Sequence, residues 1–442
     1  VAGIRREAEG HAGWPRGAAR EPGLNRYVLD TEVFQRHLRR IQAAFYEAVQ
    51  AAVFRSRKAG KRDDAWFAVM GGEPDGLETQ RCEAVGLSFH TINGERYWDE
   101  SAAYVFTLAQ IERIESVVED LHARCLDLVD WIVQGGHYEP YGLPAAAISL
   151  IEASWRRRDP SLYGRFDLSW DGGADEPRLL EYNADTPTGL VEASVAQWYW
   201  LEDVRPAADQ FNSLHERLIA RWQSCVPRGS RVHFAAQADH EEDGATVRYL
   251  MDTALQAGLS ARTLAVEEIG FDRRRGDFVD EGGAAIDWLF KLYPWEWMWQ
   301  DEFACHLPTS RVRFLEPPWK LLLSCKAMLP LLWQRNPGHP NLLPAAFADT
   351  LGRPVARKPR YSREGANIEL LGSHGDLSRS GGPYDASNAI WQTLAPLPRF
   401  AGRYPVIGAW VIGEAAAGIG IREDATAITR NSSCFVPHCF EH

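Results

Sequence analysis

Arg165, Asp167, Glu181 and Asn183 sit in two short stretches whose residue types alternate as strands do. They are Arg165-Phe166-Asp167-Leu168-Ser169-Trp170 and Arg178-Leu179-Leu180-Glu181-Tyr182-Asn183-Ala184-Asp185. The turn-rich Asp171-Gly172-Gly173-Ala174-Asp175-Glu176 between them predicts an antiparallel hairpin. Side chains alternate faces along a strand, so Arg165 and Asp167 share one face, as do Glu181 and Asn183. In a symmetric hairpin centred on Ala174, Asp167 faces Glu181 and Arg165 faces Asn183. Directly opposed carboxylates repel. A hard cation between them removes the repulsion, because Mg2+ favours carboxylate and amide oxygens and recruits substrate phosphates. The pattern points to a metal–phosphate site. The competing reading is a solvated hairpin with its charges in water. A one-residue slip would move one carboxylate to the other face, so the turn decides between them.

Other segments must carry that hairpin. Residues 31–56 place Phe34, Leu38, Ile41, Phe45, Val49 and Val53 on a helical stripe, with Thr31 as N-cap. Residues 101–133 carry another through Val105, Leu108, Ile111, Ile114, Val118, Leu121 and Leu128. Both read as core-facing. Residues 187–203 also read as helical, with Thr186 or Thr188 as cap and with amides free to hold an anionic group. From 231 to 290 strands and helices alternate: strand 231–236, helix 244–257, strand 261–266 and strand 285–290. That alternation predicts a small open α/β unit with a parallel sheet. Glu241 and Glu242 follow its first strand, where ligands of such sheets lie. They read as a site for a polyamine or other cationic substrate, or as a solvated acidic loop.

Beyond Pro317 the pattern is mixed α+β. A helical stretch from Pro318 contains Lys326, and 354–359 reads as an edge strand limited by its prolines. The basic, glycine-bearing 360–368 suits a phosphate cover, although no GxxxxGK[ST] loop occurs. Residues 406–412 and 420–429 predict a closing hairpin, with Gly413-Glu414-Ala415-Ala416-Ala417-Gly418-Ile419-Gly420 as turn material.

A chain of 442 residues needs two or three lobes. Its net charge of −12 argues against a general nucleic-acid binder. No apolar run approaches a membrane span, and Val1 to Arg26 lacks a signal peptide's apolar core. The expectation is a cytoplasmic protein with a loose arm over 1–28 and reduced thiols at its seven cysteines. Cys434, His438, Cys439 and His442 are close enough in sequence to suggest zinc, but their spacing matches no familiar finger.

In this order the segments resemble the synthetase domain of the glutathionylspermidine synthase family, a group of ATP-grasp-like carboxylate–amine ligases. The resemblance runs over roughly 30–440. It rests on Arg165-Phe166-Asp167 with Glu181-Tyr182-Asn183-Ala184-Asp185, Lys291 with Trp295-Glu296, and Lys326-Ala327-Met328-Leu329-Pro330. Lys358-Pro359 with Gly365-Ala366-Asn367-Ile368, and Arg422 with Asp424, complete it. It implies an α+β fold: an ATP-grasp-like lobe, glutathione synthetase-like in its nucleotide-binding part, over 29–205 and 301–442. A small α/β pre-ATP-grasp-like domain would be inserted over 206–300.

The implied cofactors are ATP and Mg2+, and the implied partners are a small-molecule carboxylate and an amine. By resemblance Asp167, Glu181 and Asn183 hold Mg2+. Lys326, Lys358, Gly365 and Asn367 contact ATP, and Arg165 and Arg422 steady phosphate and acyl-phosphate charge. Thr186, Thr188 and Lys291 face a glutathione-like peptide, and Glu241 and Glu242 face the polyamine. Two departures stand out: Leu292 follows Lys291 where the family has Thr, and Thr186-Pro187-Thr188 is bulkier than the family's small-residue run. The amidase domain of bifunctional members has no counterpart in this sequence, so synthetase chemistry alone is expected. The alternatives are an ATP-dependent phosphotransferase and a catalytically silent nucleotide-binding protein.

Overall fold

The computed structural model describes residues 55–58, 67–71 and 82–441, except 93, 239, 386 and 396. The arm 1–28 lies outside the described residues. So does the stripe expected over 31–56, save for Arg55 and Ser56, which open the strand Arg55–Lys58.

A five-stranded antiparallel sheet carries the acidic hairpin. Its order is Cys434–Val436, Ala415–Asp424, Tyr404–Ile412, Tyr163–Ser169 and Arg178–Asn183. The register is the one a symmetric turn predicts, with Arg165 opposite Asn183 and Asp167 opposite Glu181. A bulge after Asp167 then shifts the pairing to Leu168 with Leu179. Phe166 and Tyr182 point to the other face and stack with ring centroids 3.8 Å apart. Both are buried against the helix Leu108–Gly135, where His122 meets each ring edge-on. Alternation thus separates an apolar underside from a charged upper face.

The stripe expected over 101–133 is strand first and helix second. Ala102–Thr107 is extended, and Thr107 ends it by accepting from the Gln110 amide in a capping box. Leu108 consequently sits on the first turn, exposed, whereas Ile111, Ile114, Val118, Leu121 and Leu128 are buried. Gly136 closes the helix at φ 71°, a left-handed conformation that favours glycine.

A second sheet is parallel, in the order Arg313–Leu315, Trp288–Leu292, Arg231–Ala236 and Ser260–Ala265. The helix Glu241–Gln256 connects its first two strands in sequence, as the α/β alternation predicts. The strand expected at 285–290 runs instead from Trp288 to Leu292, because Ala285 is drawn into a bridge with Val279.

The third sheet, again antiparallel, orders Ala345–Ala346, Ala389–Thr393, Val355–Pro359, Glu369–Gly372 and Gly375–Arg379. Here the edge-strand expectation for 354–359 is corrected: Val355–Pro359 is the central strand. Pro354 precedes the strand. Pro359 ends it, past Arg357, where pairing with the 369–372 strand stops. The prolines therefore remove no interior ladder bond. Two further corrections concern local elements. Only Gly413 and Glu414 turn the long hairpin, since Ala415 to Gly420 are already strand. Lys326 lies in a break, because Leu321–Ser324 ends at an extended Cys325 and the next helix is Met328–Arg335.

Glu316 joins the parallel sheet to the acidic hairpin. It is fully buried and follows the strand Arg313–Leu315. Its Oε1 accepts from the amides of Leu162 and Tyr163 at 2.8 and 3.0 Å, and its Oε2 accepts from Ser161 Oγ at 2.7 Å. Lys320 Nζ lies 3.5 Å from that oxygen. Removing the carboxylate strands a buried ammonium and two buried amides, which costs about 3–5 kcal/mol. Glu316→Ala should therefore lower the unfolding free energy by that amount, measured by denaturant titration, and Glu316→Gln by less.

Candidate active site

The charged face of the hairpin floors a cleft of about 220 Å3. Its other walls come from the α/β unit at Gln237, His240 and Asp243, from the third sheet at Lys358 and Gln392, and from the loop at Arg363 to Gly365. Arg165 grips Asp167 with two bonds, Nε to Oδ1 at 2.7 Å and Nη2 to Oδ2 at 3.1 Å. Its Nη1 donates to the Thr188 carbonyl at 2.6 Å. Gly408 lies opposite Asp167 on the neighbouring strand, and any Cβ there would come within 2.9 Å of Arg165 Cδ. Asn183 Nδ2 donates to both carboxylates, at 3.1 Å to Asp167 Oδ2 and 3.3 Å to Glu181 Oε1. Lys326 Nζ stands 3.1 Å from Glu181 Oε2 and donates to the Ser362 carbonyl at 2.6 Å. Lys358 Nζ donates to the Leu180 carbonyl and to Gln392 Oε1, at 3.0 and 2.8 Å.

The two carboxylates differ electrically. Burial would raise Glu181, but Lys326 and Lys358 beside it outweigh that and hold its carboxyl at about 2. Asp167 is raised by burial and by the Glu181 charge, against the pull of Arg165 and Arg422. Burial pushes Lys358 down to about 8, with Lys326 adding to the effect and Glu181 opposing it. The hairpin therefore presents two carboxylates and an amide to one point, ringed by cations. The donor set suits a hard divalent ion: two carboxylate oxygens are in place, and turning the Asn183 amide would present a third oxygen.

The remaining expected residues divide between the cleft and its supports. Thr186, Thr188, Gly365 and Arg422 line the cleft. Thr186 Oγ1 accepts from Arg363 Nη1 at 2.6 Å, and the helix after it starts only at Leu190. Arg422 donates through Nη2 to the carbonyls of Arg430 and Asn431. Gly365 has φ 68°, and a Cβ there would strike the Thr429 carbonyl. Asn367 turns into its own loop, where Oδ1 accepts from the Tyr384 amide at 2.9 Å. Lys291 is buried 2.6 Å from Asp185 Oδ1 and also donates to the Tyr293 carbonyl. Glu241 accepts from Ser88 Oγ at 2.6 Å, and Glu242 is buried beside it in the first helical turn.

Sequence reasoning passed over Arg363, Glu296, Gln392, His240 and Asp243. Arg363 binds Glu296 Oε1 through Nε and Nη2 at 3.2 and 2.8 Å. Arg363 falls in the 360–368 loop singled out by its composition, and Glu296 in Trp295-Glu296, which only the family resemblance picked out. Gln392 carried no signal. Among the described residues no three His, Cys, Asp or Glu side chains form a metal cluster. Cys434 donates to the Arg96 carbonyl, His438 Nδ1 meets Gln197 Oε1 at 2.9 Å, and His442 is outside the described residues. No described helix is long and apolar enough to cross a membrane.

Comparison with known proteins places this chain in a family. The family model described as glutathionylspermidine synthase preATP-grasp matches residues 72–441. A protein from Haemophilus influenzae named as an acid–amine ligase is 43% identical over 379 residues, covering 82% of this chain and 96% of that one. The trypanothione synthetase of Crithidia fasciculata is 31% identical over 387 residues, covering 80% of this chain and 54% of its own length. A glutathione synthetase-like effector from Globodera pallida shares the mixed helix and sheet fold, with TM-score 0.56, 10% identity, and coverage of 84% and 98%. The chain belongs to the glutathionylspermidine synthase family and is an acid–amine ligase, an enzyme that forms C–N bonds.

The low Lys358 value gives a direct check. The amine is charged below pH 8 and neutral above it. Acetylation with a water-soluble anhydride, mapped by mass spectrometry, should label Lys358 with a midpoint near pH 8. An ordinary lysine titrates at roughly 10.4.

Proposed function

We propose that this chain is an ATP- and Mg2+-dependent ligase that joins the carboxylate of a glutathione-like peptide to a polyamine-like amine through an acyl phosphate. The observation that carries the reading is the opposed pair Asp167 and Glu181, set in the floor of a cleft lined by Arg165, Lys358 and Arg422.

 These groups are the ones a phosphoryl transfer requires, because its charge develops on phosphate oxygens and is met by fixed cationic donors.

In this reading the ATP-grasp-like lobe spans 29–205 and 301–442. The pre-ATP-grasp-like α/β unit over 206–300 interrupts it. Asp167, Glu181 and Asn183 would hold Mg2+, which supplies charge neutralisation at the ATP phosphates. Lys326 and Lys358 contact the nucleotide, and the loop carrying Gly365 and Asn367 covers it. The acid carboxylate takes the γ-phosphoryl group and ADP leaves. The amine then attacks the acyl carbon, the bond to phosphate breaks, and inorganic phosphate departs. Arg165 and Arg422 face the charge that moves in both steps, and a planar guanidinium can grip two oxygens at once. Thr186 and Thr188 border the acid, while Glu241 and Glu242 draw the cationic amine.

One of the two departures from the family pattern bears on the acid substrate. Lys291 is committed to Asp185 and is followed by Leu292, so the far carboxylate of a peptide needs another cation. Arg363 lines the cleft beside Thr186 and would take it by exchanging its bonds to Glu296 and Thr186.

The test is ADP and phosphate release from MgATP with thiol peptides and amino acids crossed against polyamines and other amines. Turnover should require one acid and one amine together, and Asp167→Asn should lower it by about 100-fold or more. Equal release with the acid alone would instead indicate phosphotransfer. Binding of MgATP with no release under any pairing would indicate a silent nucleotide-binding protein.

A further inference from the structure

The cleft meets the α/β unit where the strand order of the parallel sheet reverses. Arg231–Ala236 comes first in sequence, Ser260–Ala265 pairs on one side of it and Trp288–Leu292 on the other. Ligands of open parallel sheets lie beyond the carboxyl ends of the strands at such a point. Leu292 pairs with Ala236 there, and Gln237 and Pro294, just beyond them, line the cleft together with Leu292.

The two strand ends supply unlike linings. After Ala236 the lining is polar, with Gln237, His240 and Asp243. After Leu292 it is apolar, with Leu292, Pro294 and Trp297. Leu292 and Pro294 are buried, but core packing does not account for Trp297. In the same segment Trp295 is buried in the core and Trp299 packs against it. Trp297 is half-buried and belongs to none of the hydrophobic clusters of the described residues. Tyr293 meets its ring edge-on, with centroids 5.5 Å apart, which holds the indole as a wall of the cleft.

Arg363 crosses the same indole, its guanidinium carbon 5.9 Å from the ring centre. Its bonds to Thr186 and Glu296 keep it there. A carboxylate that reaches Arg363 therefore comes up against Trp297. Any side chain beside that carboxylate lies along Trp297, Pro294 and Leu292. Glycine has no side chain to cover this wall, whereas a branched aliphatic or aromatic side chain removes apolar surface from water on both partners. In apolar pockets a single methylene already changes selectivity by about tenfold or more.

We propose that the acid substrate of this chain is a peptide-like dicarboxylate bearing a branched aliphatic or aromatic side chain, which seats on Leu292, Pro294 and Trp297 beside Arg363. This deepens the ligase reading and rests on it for the role of the acid. Trp297 selects among acids. A residue that merely supported Arg363 would instead affect every dicarboxylate alike, because all of them need the guanidinium.

Calorimetric titration of the full chain without ATP tests this in the absence of turnover. The probes are glutathione and four analogues with leucine or phenylalanine in place of its cysteine or its glycine, all of which keep both carboxylates. The best analogue should bind about tenfold tighter than glutathione. Trp297→Gln should bring that analogue down to the affinity of glutathione, whereas Trp297→Phe should keep the preference. MgATP affinity, measured on each variant, verifies that it is folded. No analogue binding tighter than glutathione, no binding of any of the five, or an equal loss for all five in Trp297→Gln would overturn the proposal. Failure of the ligase reading would show separately, as the expected preference in binding with no ATP-dependent ligation of the preferred peptide to any amine.

Discussion

Two negative charges directly across a strand pair are the constraint around which this structure is arranged. Asp167 and Glu181 are held opposite each other by the ladder, so they cannot separate without breaking it. The chain answers with Arg165 from the same strand, Lys326 from a break between helices, and Lys358 from another sheet. Each cation also bonds a carbonyl, which fixes where its charge can stand. The result is a preset field at one end of the cleft, favourable to phosphate because little needs to reorganise when charge moves.

The supports of that field are buried ion pairs. Lys291 with Asp185 and Lys320 with Glu316 tie the parallel sheet to the hairpin strands. Such pairs are weak sources of net stability, yet costly to break singly, and they fix geometry. Asp185 also accepts from the Trp295 amide at 2.9 Å, and the next residue, Glu296, anchors Arg363 of the loop. One chain of contacts thus links the hairpin's end, the α/β unit and the loop over the cleft. Gly365 completes the loop's fit, since its left-handed backbone presses on the Thr429 carbonyl.

Period-two alternation and a turn centred on Ala174 made the hairpin register legible, and with it the carboxylate pair. The α/β alternation after 231 likewise gave a parallel sheet. Legibility failed where tertiary contacts decide. Lys326 reads as helical because Leu321 to Arg335 is rich in helix formers, but its amide donates to the Arg360 carbonyl and the helix breaks there. Prolines suggested an edge for Val355–Pro359, while their positions at its ends permit a central strand.

The central claim is that the acid's own oxygen passes to phosphate before the amine arrives. Ligation with an acid whose carboxylate carries oxygen-18, followed by mass spectrometry of the released phosphate, addresses it most directly. The account predicts one labelled oxygen in each phosphate formed. Unlabelled phosphate from a reaction that still yields the amide would contradict it.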